Sequence, residues 1–186
     1  LLTLENDPAG SSLKVTLATA QGHHDQSIVS MILVECDRIV QADERQQLAD
    51  ELTLVLSDVR MAVADWPAML QRLRSVREAS ANSPLSAQGQ LEGLEFLHWL
   101  ETEHFTFLGA RDYQLVRHED GVNLVALAET GLGILRGEPK TPNSRLPTDA
   151  LEFAESDQLV LVTKAMTRST VHRPAWLDCL AVKRFD

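Results

Sequence analysis

Apolar side chains recur along this chain with two distinct periods. Between Leu48 and Val76 they fall at Leu48, Leu52, Val55, Val59, Ala62, Trp66, Met69, Leu73 and Val76, alternately four and three residues apart. That spacing stacks them on one side of an α-helix and predicts a long helix from Ala42 to Arg77. Asp43, Glu44, Arg45, Gln46, Asp50, Glu51, Asp58 and Arg60 fill its other side. The stripe reads as the core-facing side of a helix lying on a sheet, with a coiled-coil seam between copies as the alternative. Pro67 removes a backbone donor and crowds the carbonyl of Val63, so a kink is expected there, or a break with Asp65 capping a second helix.

Upstream, Leu13–Leu17 reads as a short strand. The apolar run Ile28-Val29-Ser30-Met31-Ile32-Leu33-Val34 reads as a strand through Ile39, covered on both faces. Ala79-Ser80-Ala81-Asn82-Ser83-Pro84 has linker composition, and Ser83 and Pro84 suit the cap and first position of a second helix. That helix is expected over Leu85 to Glu103, with Leu91, Leu94, Leu97 and Leu100 along one side. From His104 onward the pattern is that of strands. Phe105 to Asp112 alternates, Tyr113 to Arg117 is extended, and His118-Glu119-Asp120-Gly121 makes a hairpin turn into a return strand from Val122 to Ala128. Glu129 to Leu151 reads as loop. Leu159–Lys164 and Cys179–Lys183 read as buried strands. Hairpins without βαβ alternation predict an α+β fold, with antiparallel sheets covered by long amphipathic helices.

Composition narrows the function classes. The 186 residues carry 27 acids against 17 Lys and Arg, a net charge of −10, which argues against nucleic-acid partners. Hydrophobic residues at 44% and charged residues at 24% fit a globular domain. The longest apolar runs fall short of a membrane span, and no basic leader precedes one. The two cysteines, Cys36 and Cys179, are too few for a disulfide framework and read as packed thiols in a reducing cytoplasm. Beginning on Leu1, the chain reads as a piece of something longer.

Candidate chemistry is sparse. Gly131-Leu132-Gly133-Ile134-Leu135-Arg136 has two glycines of a dinucleotide fingerprint, but Arg136 holds the third position and Pro139 and Pro142 follow instead of a helix. A structural turn is the favoured reading. His23-His24-Asp25 does not make a metal site, because adjacent residues on an extended segment point to opposite faces. His98 and His104 lie on separate elements. Lys164, Arg168, Ser169, Thr170, His172 and Arg173 form the one basic, hydroxyl-bearing cluster and are the candidate anion or ligand site. The favoured alternative is a solvated loop whose cations pair with internal carboxylates such as Asp112, Glu152 or Asp178. No catalytic constellation and no metal site can be argued from spacing.

Four ordered stretches resemble the N-terminal region of the large NAD-dependent glutamate dehydrogenases of bacteria. They are the helix Asp58–Met69; Glu95–Leu100 with His104–Tyr113; Gly131–Arg136; and Arg168–Pro174. One departure is Ala110, where that family usually has an aromatic residue. The resemblance implies a parent enzyme that oxidatively deaminates L-glutamate to 2-oxoglutarate and ammonia while reducing NAD, in a Rossmann-type domain far downstream. This segment would then hold no cofactor and no catalytic residue. It would belong to a cytoplasmic region of ACT-like and other small α+β modules serving regulation and oligomer assembly. Residues 1–78 resemble the back part of an ACT-like (ferredoxin-like) module ending in its long helix, 79–84 a linker, and 85–186 a second ACT-like or PAS-like module. The implied partners are the remaining domains of the parent, further copies of the chain, and an amino-acid effector. A free-standing ACT-like amino-acid sensor is the alternative.

Overall fold

Short strands form where a neighbouring strand can take their hydrogen bonds, and apolar character alone does not guarantee that neighbour. The computed structural model, which describes residues 2–6, 13–17, 27–29, 32–171 and 174–185, shows both outcomes. The chain divides into two compact units, Leu1–Arg45 and Gln46–Asp186.

In the first unit, β1 (Leu2–Asn6), β2 (Leu13–Leu17) and β3 (Ser27–Val29) form an antiparallel sheet in the order β2-β1-β3. Leu4 lies opposite Val15 on one side and Ser27 on the other. The strand expected at Leu13–Leu17 is present with those bounds. The strand expected over Ile28–Ile39 is not: β3 ends at Val29, and residues 32–41 lack regular structure. Ile32, Leu33 and Val34 are exposed rather than covered on two faces. An apolar run signals a buried strand only if other layers close over it, and periodicity cannot register those layers. Cys36, expected to be packed, is exposed as well.

Helix α1 (Ala42–Ser80) runs unbroken for 39 residues. Its first turn is preceded by a loop that folds back, with the Arg45 guanidinium donating to the carbonyls of Ile39 at 3.0 Å and Val40 at 2.6 Å. The expected break at Pro67 does not occur, and Asp65 sits inside the helix rather than capping a second one. Val63, Ala64 and Pro67 all face solvent, so the Val63 carbonyl that Pro67 leaves without a donor can bond water. The expected stripe is buried only in part. Its members Ala62, Met69 and Leu73 are buried, together with Asp65, Leu70 and Ser80 outside it, whereas Leu48, Leu52 and Trp66 are exposed.

Helix α2 (Ala87–Trp99) begins three residues later than a Ser83 cap would place it. Ser86 is the cap: its Oγ accepts from Gly89 N at 3.2 Å, and its own amide donates to Asp157 Oδ1 at 2.7 Å. The helix start is thereby fixed by a tertiary contact, and the Ser86 hydroxyl donating to Asp157 Oδ2, with the amide beside it, holds the Asp157 carboxyl below the usual carboxylate range. A π-turn, Leu100–His104, closes α2, with the His104 ring stacked on Trp99 at 4.7 Å.

The remaining strands are antiparallel. They are β4 (Gly109–Ala110), β5 (Tyr113–His118), β6 (Gly121–Ala126), β7 (Leu132–Gly133) and β8 (Asn143–Arg145). After α3 (Thr148–Glu155) come β9 (Val160–Arg168) and β10 (Trp176–Val182). They form the sheets β4-β7, β5-β6-β8 and β10-β9. The Asp-Gly hairpin stands where expected, with Gly121 at φ 142°. Of the strand expected from Phe105 to Asp112 only β4 forms. The segment read as loop between Glu129 and Leu151 holds β7, β8 and the start of α3. Three helices with several antiparallel sheets make the chain mixed α and β, consistent with the α+β class.

The core gathers Leu73 of α1, Leu97 of α2, Leu100 and Leu159, surrounded by Leu94, Phe96, Phe105, Phe107, Val160 and Leu180. Each such Leu contributes roughly 1.5–3 kcal/mol of burial free energy. Strand β9 is only partly covered. Leu159, just before it, is buried, while Val162 and Lys164 face solvent, and Cys179 on β10 is exposed.

Candidate functional site

The basic cluster expected on a loop begins on a strand. Lys164 and Arg168 both lie on β9, four residues apart. The antiparallel register chooses their partners. Asp178 lies opposite Lys164 and Trp176 opposite Arg168, with a register shift between them. Lys164 Nζ pairs with Asp178 Oδ1, and the Arg168 guanidinium sits over the Trp176 ring, 5.3 Å from its centroid. Thr170 Oγ1 donates to Asp58 Oδ2 at 2.9 Å. Ser169 donates its amide to Ala175 O at 2.8 Å, and its hydroxyl is held within the same loop by Val171. His172 and Arg173 lie outside the described residues, as does His23-His24-Asp25. The structure therefore spreads the described members along β9 and the loop after it, and gives each an internal contact.

A tighter constellation forms where sequence reasoning placed only a turn. On α1, Asp65 presents its carboxylate to the Gly131–Arg136 segment. Its Oδ2 accepts from Gly133 N at 2.7 Å and from Arg136 Nε at 3.0 Å, while its Oδ1 takes Arg136 Nη2. This two-pronged pairing, with the Gly133 amide beside it, holds the Asp65 carboxyl well below the usual carboxylate range. Gly133 is required here for two reasons. Its φ is +60°, and a Cβ would stand 2.1 Å from the Leu108 carbonyl oxygen. Arg111 clamps the far side, donating to Gly137 O at 2.7 Å and to Leu135 O. The amide that a phosphate-binding turn would offer to a ligand is thus given to the protein's own carboxylate. The sequence points to Asp65 only as the cap of a second helix beside Pro67, not as the partner of a distant arginine. The signal that could have found it is its phase, three residues after Ala62 and four before Met69.

Two further ionic groups line α1. Arg72 Nη1 donates to Thr130 O at 2.6 Å and lies 3.6 Å from Asp112, which also takes Arg184 at 3.1 Å. A cleft of about 320 Å³ opens beside them, walled by Ala68, Ser75, Val76 and Ala79 with Arg72 and Arg184. Glu101 receives Arg74 at 2.5 Å and Arg77 at 3.1 Å, and Arg74 is the chief cause of its lowered pKa.

Comparison with known proteins agrees with the ordered motifs. An NAD-specific glutamate dehydrogenase of Pseudomonas aeruginosa is 29% identical over 183 residues, 96% of this chain. One of Halomonas elongata is 29% identical over 164 residues, 84% of the chain, and one of Mycobacterium tuberculosis 28% identical over 137 residues, 72% of it. The chain is similar to these NAD-specific glutamate dehydrogenases over most of its length. It spans only 8–11% of the length of these relatives. No family model matches it. No solved structure matches it either. The similarity to these dehydrogenases runs through both compact units, since the Pseudomonas match takes in nearly the whole chain.

Proposed function

We propose that this chain is a non-catalytic regulatory or assembly segment of a large NAD-dependent glutamate dehydrogenase. The parent reaction would convert L-glutamate, NAD and water to 2-oxoglutarate, ammonia and NADH. The observation that carries this reading is the proportion of the matches: most of this chain aligns with about a tenth of each NAD-specific relative. The glycine turn supports it, because the Gly133 amide is committed to Asp65 and so is not offered to a pyrophosphate. NAD chemistry would then belong to other parts of the parent. On this reading the segment is cytoplasmic, its partners are the remaining parent domains and further copies, and its modules are ACT-like, with ACT-like or PAS-like architecture in the second.

The test is direct. The purified 186-residue chain, given L-glutamate and NAD, should produce no NADH above buffer. Steady NADH formation would overturn the proposal.

A second reading is a free-standing ACT-like amino-acid sensor, with a carboxylate held by Arg168 and the loop after it. It is favoured by Arg168, which among the described residues has an aromatic contact but no carboxylate within ion-pair distance. A thermal-shift screen of glutamate, aspartate and 2-oxoglutarate separates the two. A stabilisation that Arg168→Ala removes supports the sensor, and none in the wild type rejects it.

A further inference from the structure

The cleft beside the second half of α1 brings together two guanidinium groups that share a single carboxylate. Arg72 comes from α1 and Arg184 from the stretch after β10, and both belong to the second compact unit. Asp112 offers one oxygen to each, Oδ1 at 3.6 Å from Arg72 and Oδ2 at 3.1 Å from Arg184. Among the described residues no other carboxylate lies within ion-pair distance of either cation. Two positive charges against one negative leave a surplus of one at the cleft. The arrangement is also held in place from behind. Arg72 Nη1 donates to Thr130 O at 2.6 Å, and the Thr130 hydroxyl accepts from the Asp112 amide at 2.9 Å and donates to Leu127 O at 2.7 Å. The Leu127 amide closes the ring on Asp112 O at 3.0 Å. At 3.6 Å the Arg72–Asp112 pair is longer than a hydrogen bond, so Arg72 Nε and Nη2 have no acceptor among the described residues. Donors fixed in advance and left without acceptors bind an anion at low ordering cost.

The charge count and the walls indicate which anion. Guanidinium forks accept carboxylates and phosphates alike. A phosphate, however, carries close to two charges at neutral pH and has no apolar part. The cleft has one surplus charge to neutralise, and Ala68, Val76 and Ala79 give it hydrocarbon walls. Its volume of about 320 Å³ lies at the small end for ligand sites. The Ser75 hydroxyl, also in the wall, is already committed to Gln71 O at 3.0 Å. We propose that this cleft binds a small organic monocarboxylate. Its carboxylate meets the Arg72 and Arg184 donors, and its short hydrocarbon chain lies along Ala68, Val76 and Ala79. The inference rests on the charges, donors and walls of the cleft, and is independent of the dehydrogenase assignment and of any site at Arg168.

The experiment titrates the intact, isotope-labelled chain with pentanoate, acetate, pentylammonium and inorganic phosphate at constant ionic strength, following amide chemical shifts. Pentanoate should saturate, acetate should bind about tenfold more weakly for want of its hydrocarbon chain, and phosphate should be weaker than pentanoate. Pentylammonium, with the same chain and the opposite charge, should not bind. Arg184→Gln, a change at an exposed residue, should weaken pentanoate about fivefold or more. Asp112→Asn removes the carboxylate that competes for both cations and should strengthen pentanoate about threefold or more, with folding checked by circular dichroism. The opposite signs of these two variants separate a ligand site from a purely structural ion pair. Absence of saturable pentanoate binding, or an Arg184→Gln variant that binds like wild type, would overturn the proposal. So would phosphate or pentylammonium binding as tightly as pentanoate, or a folded Asp112→Asn variant that binds pentanoate more weakly.

Discussion

The two halves of α1 have similar apolar content but opposite fates. From Leu48 to Leu56 the leucines stand in solvent, while from Ala62 to Ser80 the helix is built into the core. The difference arises from what meets the second half. Asp65 reaches Gly133 and Arg136, Arg72 reaches Thr130 and Asp112, and Arg74 and Arg77 reach Glu101. These polar contacts accompany the burial of Met69 and Leu73 in that half. A buried carboxylate with three donors costs little to bury, whereas an unpaired one would cost a great deal. The half of α1 that packs therefore carries a paired acid as well as apolar side chains.

The comparison can be broken most forcefully in the core. Leu73→Ala and Leu97→Ala each remove a buried side chain and should cost about 2–5 kcal/mol in urea unfolding, whereas Leu52→Ala in the uncovered half should stay within about 0.5 kcal/mol of wild type. Similar losses at Leu52 and Leu73 would mean the first half is covered in solution. Next comes the turn that Asp65 holds. Gly133→Ala forces a left-handed backbone on an L-residue, at about 1–2 kcal/mol, and adds the clash with Leu108 O, so thermal unfolding should occur at a clearly lower temperature. A Gly133→Ala variant that melts with the wild type would show that the turn is free to relax.

Asp65 sharpens the comparison through pH. Its folded-state carboxyl titrates below the usual range, so the stability it contributes is present above the unfolded carboxyl's pKa and lost as pH falls through the folded one. Unfolding free energies measured from neutral pH downward should therefore drop less steeply in Asp65→Asn than in wild type, and parallel profiles would refute the role. A small effect is also expected at Trp66. Its spacing alone predicts a core residue whose truncation costs about 3–5 kcal/mol, but at 42% exposure Trp66→Ala should cost about 1 kcal/mol or less in the same urea experiment. A larger loss would place Trp66 against something that buries it.

Much of the second unit was legible. The hairpin at Asp120-Gly121, the two strands at the C-terminal end and the extent of α1 all follow from local rules, namely turn dihedrals, short apolar runs and helical spacing. Such rules failed where a partner distant in sequence decides the outcome. Ser83 and Ser86 are equally good caps by residue type, and Asp157, 71 residues beyond Ser86, selects Ser86. The apolar run after Val29 is strand-like, yet residues 32–41 have no regular structure. Of the basic cluster, the sequence showed which residues carry charge but not that Lys164 stands opposite Asp178 and Arg168 opposite Trp176, because those pairings belong to the β9–β10 register.

The sequence by itself determined that a long helix begins at Ala42 and reaches at least Arg77, that an Asp-Gly hairpin joins two strands, that the glycine turn is not a nucleotide loop, and which enzymes the chain resembles. Each depends on the order and spacing of neighbouring residues, which is information a linear text contains. Tertiary structure alone decided which positions along α1 are buried. Spacings of three and four fit Leu48, Leu52 and Trp66, which are exposed, as well as Ala62, Met69 and Leu73, which are buried, so helical geometry leaves the packed side undetermined. Arg136 and the Gly133 amide, 71 and 68 residues away, hold Asp65 on the buried side.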